Sequence, residues 1–166
     1  MSEQIATIEQ KFNERSWVLR NLRRSGFTDA DLLTVYKSLI RPVFDFTSVV
    51  YHSLLTIEQK HLLERLQCRA VSVIVGGRGG NYSKQLESLG LDTLDDRRLE
   101  LVDKFLEKSL KHPLFSEKWF PKEPRNAFNT RHEEMYLEYK SKTERNRSNP
   151  LNFFRRRLNN NLNVDN

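Results

Sequence analysis

With 166 residues, of which 37% are hydrophobic and 30% charged, the sequence suits one domain, or one domain with a tail. A formal net charge of +6 and a pI near 9.5 favour a polyanionic partner, either nucleic acid or a phospholipid surface. A single cysteine excludes an internal disulfide, no apolar run reaches the length of a membrane span, and the charged N-terminus is not a secretory signal. The expectation is an intracellular protein, nuclear or cytoplasmic and not secreted, with no membrane partner.

Residues 3–24 carry Ile5, Ile8, Phe12, Leu19 and Leu22 at helical spacing, with Arg15 intruding on the same stripe and Gly26 as the stop. A second helix starts from a capping box of Thr28 and Asp31, with Phe27 placed to staple against Leu32. Its seam, Leu32, Tyr36, Leu39, Val43, Phe46 and Val50, runs straight through Arg41-Pro42. Proline removes a donor and crowds the preceding turn, so one long helix kinked near Ser38–Arg41 is expected.

Thr56 and Gln59 form another capping box, opening a helix through Leu63, Leu66, Ala70, Val73 and Ile74 that the glycines of GGRGGN break. YSKQLESLG reads as two turns closed by Gly90, and Thr93 with Asp96 opens a helix that His112-Pro113 stops. From Leu114 the pattern fades. Extended chain, one short helix near His132–Lys142 and a disordered close are expected there. The fold class is therefore all-α, a small helical bundle with a kinked long helix and an irregular basic C-terminal tail. Its organisation is a helical domain over 1–113 and an extended region over 114–166.

Candidate chemistry is sparse. Asp95-Asp96 looks like the metal-binding pair of a polymerase, but it opens a helix, where acidic residues complement the dipole. GGRGGN lacks the Lys-Ser/Thr ending of a phosphate loop, and the four histidines do not pair at metal-ligand spacing with one another or with Cys68. No metal, cofactor, catalytic constellation or small-molecule substrate is expected. Arg98 falls among Leu94, Leu101, Val102 and Phe105, so it reads as a structural buried charge needing a carboxylate such as Asp45 or Glu64, or helix C-terminal carbonyls. Arg97, to the flank, is freer to meet phosphate. Arg23, Arg24, Lys37 and Arg41 gather near the second helix with Arg20, and Arg155-Arg156-Arg157 follow Phe153-Phe154, an aromatic-plus-basic mixture suited to nucleic acid.

The order of Arg20-Asn-Leu22, Gly26, Leu32-Leu33, Tyr36, Leu39-Ile-Arg-Pro42 and Phe44-Asp-Phe46 resembles the region after the polymerase core in LINE-type (non-LTR) retrotransposon reverse transcriptases. The resemblance continues through Leu66-Gln-Cys-Arg-Ala70, Ile74-Val-Gly76, Tyr82, Leu86, Leu89-Gly-Leu91, Thr93-Leu94 with Arg97-Arg98, Asn149-Pro150 and Arg157-Leu158-Asn159. Tyr51 departs from a usual tryptophan and Phe46 from a common tyrosine. What the resemblance implies is the thumb of an RNA-directed DNA polymerase and the region following it. Such a piece would hold template–primer backbone, with the palm and its catalytic aspartates absent, so the isolated chain is expected not to be an enzyme. The implied partners are RNA, DNA or hybrid backbone, with a polymerase palm in cis or trans. The alternative is a structural or protein-interaction module that self-associates or docks on another chain through an apolar face.

Overall fold

In the computed structural model, which describes residues 2–77, 80–122, 136–138 and 142–164, the regular elements are helical. An isolated antiparallel bridge, Lys122 with Tyr136, is the exception among the described residues. The chain divides into two compact units, one of Met1–Val49 and Leu55–Leu99, the other of Val50–Leu54 and Glu100–Asn166.

The first unit begins with α1 (Ser2–Arg24), which buries Ile5, Ile8, Phe12 and Leu19 along the stripe the sequence spells out. Gly26 at φ +85° turns the chain. Thr28 then accepts from the Asp31 N–H while Asp31 accepts from the Thr28 N–H, and this reciprocal box starts α2 (Asp29–Val35). Phe27 stays 46% exposed, so its staple adds little.

Where a kink is expected, the helix widens. Tyr36–Ile40 form a π-helical turn, with the Arg41 N–H donating five residues back to the Tyr36 carbonyl, before α3 (Arg41–Asp45). Pro42 cannot donate to the Ser38 carbonyl, and taking one extra residue into the turn accommodates that missing bond. The extra residue also moves the seam. Leu32, Tyr36, Ile40 and Phe44 are buried at a steady spacing of four, together with Val43. Phe46 and Val50, expected on the seam, are 68% and 55% exposed. Arg15, the apparent blemish on α1, donates at 2.6 Å to the Leu39 carbonyl inside the widened turn. The guanidinium that serves the backbone at this proline is thus Arg15 and not Arg41.

After Thr47, held at φ 56°, come α4 (Ser48–Tyr51) and a 3₁₀ turn, His52–Leu54. A Thr56/Gln59 capping box opens α5 (Ile57–Ile74), which packs on α1 and buries Leu63, Leu66, Gln67, Ala70, Val71 and Ile74. The helix α6 (Tyr82–Leu89) closes on Gly90 at φ +59°, and α7 (Leu94–Leu110) follows with Leu94 and Arg98 buried. Of the GGRGGN loop, Arg78 and Gly79 lie outside the described residues.

Gly76 follows α5 at φ +67°, and a methyl group there would come within 2.1 Å of Arg23 Nη2. That guanidinium cannot swing aside without leaving Asp29, to which it is bonded at 2.6 Å. Gly77 has the same φ with nothing within 4 Å. Gly77→Ala should therefore cost about 1 kcal/mol, the backbone strain alone. Gly76→Ala should cost about twice that. Equal urea midpoints for the two variants would show that Arg23 does not hold this corner.

The second unit takes the rest of α7, α8 (Pro113–Lys118), α9 (Glu144–Arg147) and α10 (Pro150–Val164). Extended chain is expected over most of this region, but α10 is a fifteen-residue helix. Pro150 is preorganised for a first helical position, and Asn149 Oδ1 accepts the Leu151 N–H at 3.0 Å. Phe154 and Leu158 then supply a buried stripe. The asparagines after it are poor helix formers, and they mask the periodicity. Most of the helix expected near His132–Lys142 lies outside the described residues, whereas Tyr136–Glu138 are described and are not helical.

Candidate nucleic-acid interface

The chain carries 28 lysines and arginines. A cation can meet phosphate well only where it is accessible and not spent on a carboxylate or a carbonyl. On that criterion the expected contacts separate into three groups.

In the tail, the three consecutive arginines are anchored. Arg155 is 4% exposed and its Nε donates to the Trp119 carbonyl at 2.9 Å, capping the end of α8. Arg157 makes a two-pronged bond to Asp103, at 3.0 and 2.9 Å, which raises its pKa. Arg156 donates to the backbone carbonyls of Asn152 and Arg147. The neighbouring aromatics are packed as well, Phe154 against Phe105 at 5.6 Å and Phe153 against His52 at 5.4 Å. Asn159 completes the inner face of α10, with Oδ1 accepting the Tyr136 N–H and Nδ2 donating to the Tyr136 carbonyl. This segment is the glue of the second unit.

Arg98 and Arg23 are likewise structural. Arg98 is 1% exposed, and its Nη2 donates to Asp95, one turn earlier on its own helix, at 3.0 Å. Of the expected partners, Asp45 lies by Arg97, at 3.3 Å. The other candidate, Glu64, accepts the Tyr82 hydroxyl at 2.9 Å and the Asp95 N–H at 3.0 Å, so it caps α7 from the side of α5. Lys60 reaches Asp95 at 3.1 Å and Gln67 donates to the Asp92 carbonyl at 2.9 Å. Lys60, Glu64 and Gln67 are thus one polar ridge of α5 that receives the start of α7.

This ridge also engages the aspartate pair. Partial burial acts to raise the Asp95 pKa, but hydrogen bonds from Lys60 and Arg98 outweigh it and hold the carboxyl below its ordinary value. Asp96 bonds back to Thr93. Both carboxylates have local work that a helix start requires. No group of three or more potential metal ligands occurs among the described residues. Cys68 is a free thiol that lines the same hollow as His61, two turns earlier on α5, a proximity encoded in their spacing of seven.

In the third group two half-buried arginines share one carboxylate and the other cations are exposed. Arg41 and Arg97 converge on a single carboxylate, Asp45, at 3.9 and 3.3 Å, with all three side chains 21–24% exposed. Both guanidinium groups thus share that carboxylate. Lys37, four residues before Arg41, is exposed. Arg24 is also exposed at the end of α1. Arg20 and Arg69 join this group. Both are exposed and line a groove of ≈ 390 Å³ between α1 and α5. Their signal in the sequence is faint, because it consists only of helical register with Phe12 and Ser16 on one side and Ser72 on the other.

No family model, no curated protein and no solved structure matches this chain. No helix among the described residues is long and apolar enough to cross a membrane.

Proposed function

We propose that the protein binds nucleic-acid backbone as a reverse-transcriptase thumb does, without a catalytic centre of its own. The observation that carries this reading is the convergence of Arg41 and Arg97 on Asp45. The two arginines come from distant parts of the chain, Arg97 lying 52 residues from Asp45, and they meet in one partly exposed cluster. Asp45 holds both guanidinium groups in place before a phosphate arrives, which lowers the entropy cost of contact. Lys37 extends the cluster along the same run of helix. The overall charge of +6 supplies the longer-range attraction.

Binding of a blunt RNA–DNA hybrid measured against salt tests the reading. Affinity should fall steeply, and the Lys37→Ala/Arg41→Ala/Arg97→Ala variant should lower the log–log slope by roughly two to three. A hybrid that does not bind at low salt, or binds with no salt dependence, would overturn it. A second reading, an interaction module, draws on exposed apolar residues of the first unit, Phe46 and Ile57, the latter 74% exposed. Sedimentation that depends on protein concentration but is unmoved by the hybrid would favour that alternative.

A further inference from the structure

Trp17 is 61% exposed on a helix whose opposite stripe is fully engaged in the core. The packing of the unit gives no reason for it. Arg20 follows it by three residues and Arg24 by seven, so all three share one side of α1. Across the groove stands α5. Its Arg69 guanidinium rests over the Phe12 ring, 5.5 Å from the centroid, with Nη2 at 3.4 Å from Asn13 Oδ1. The ring and the amide aim Arg69 without neutralising it. Arg20, Arg24 and Arg69 have no carboxylate within 4.0 Å among the described residues, and no residue lining the groove is acidic. The remaining walls are Ser16, whose hydroxyl donates to the Asn13 carbonyl, with Cys68, Ser72 and Val73.

Separated cations, hydroxyl groups and a solvent-facing indole are what an unpaired nucleotide run requires: phosphates meet the guanidinium groups and a base lies on the ring. A duplex offers no base face to such a platform, because its bases are stacked inside. We infer that the α1–α5 groove, with the exposed Trp17 one turn from Arg20 on α1, binds single-stranded nucleic acid, and that it is separate from the Arg41–Asp45–Arg97 cluster proposed for duplex backbone. The inference deepens the nucleic-acid reading above and rests on it for the class of partner.

Two labelled probes decide the matter, an oligouridylate of about twelve nucleotides and a blunt RNA–DNA hybrid of the same length. Trp17→Ala and the double variant Arg20→Ala/Arg69→Ala should each weaken oligouridylate binding by about tenfold or more, and leave hybrid binding within about twofold. The chain has two tryptophans, so in a Trp119→Phe background the emission of Trp17 should be quenched by oligouridylate. All substituted groove residues are exposed, and unchanged thermal melts would confirm that the variants fold. Oligouridylate binding that survives both variants, or a loss equal on the two probes, overturns the groove assignment. If the wild-type protein ignores the hybrid but binds oligouridylate with quenching, the thumb-like reading fails while the groove stands.

Discussion

Replacing Arg98 by alanine should cost the first unit about 3 kcal/mol in urea unfolding, and Arg98→Met less than half as much. The side chain is 1% exposed, so alanine leaves a hollow where a long stem was packed. It also leaves Asp95 with one cationic partner fewer. That electrostatic part is discounted, because Asp95 is 41% exposed and keeps Lys60. Methionine refills the space and isolates the charge contribution. The pH dependence separates the two further. Asp95 has a folded-state pKa below its unfolded one, so its contribution is present above the unfolded pKa and disappears as pH falls through the folded value. Wild type should therefore lose more stability than Arg98→Met on acidification below about pH 4. Parallel stability–pH curves would mean that the bond between Arg98 and Asp95 contributes nothing.

Phe12→Ala should be the most damaging single truncation in α1, at about 3–5 kcal/mol. The ring is fully buried and meets Phe44 at 5.8 Å, which ties α1 to the segment after the π turn. Its outer side carries the Arg69 guanidinium. Phe12→Leu restores most of the volume but has no π face, so it should cost far less in stability while Arg69 loses its platform. If single strands bind at the groove, Phe12→Leu should weaken them by a few-fold without reaching the effect of Trp17→Ala. Chemical denaturation followed by circular dichroism measures the first effect, and oligouridylate titration the second. A Phe12→Ala variant as stable as wild type would contradict the packing described for α1 and α3.

Against a typical margin of roughly 5–15 kcal/mol for a folded domain, either alanine variant removes a large share of what the first unit has.

The parts of this fold that are legible in the sequence are those that depend on neighbours along the chain. The boxes at Thr28/Asp31 and Thr56/Gln59, the left-handed stops at Gly26 and Gly90, and the apolar stripe of α1 are each written within a few residues. The outcome at Pro42 is not legible in that way. A proline announces a disturbed helix, but whether the chain bends or widens depends on what takes up the loosened carbonyls, and Arg15 lies 24 residues away from the one it serves. Charge is subject to the same limit. Arg155, Arg156 and Arg157 read as an unneutralised cluster because nothing acidic is adjacent. The acid that meets Arg157 is Asp103, 54 residues earlier. The groove cations were obscured for the converse reason. Arg20 and Arg69 look like ordinary solvated side chains until α1 and α5 are set beside one another.

The widened turn at Tyr36–Ile40 acts as an indexing notch for all that follows it in that run of helix. Each residue added to or taken from a helix rotates the downstream side chains by about 100°. If this turn tightened to ordinary α-helical geometry with no residue removed, Phe44 would rotate toward water and Phe46 inward, and Arg41 and Asp45 would leave the side where Arg97 waits. A single-residue deletion at this turn should therefore be absorbed by its return to ordinary α-helical geometry, whereas an insertion beside Pro42 should do more harm than several point substitutions together.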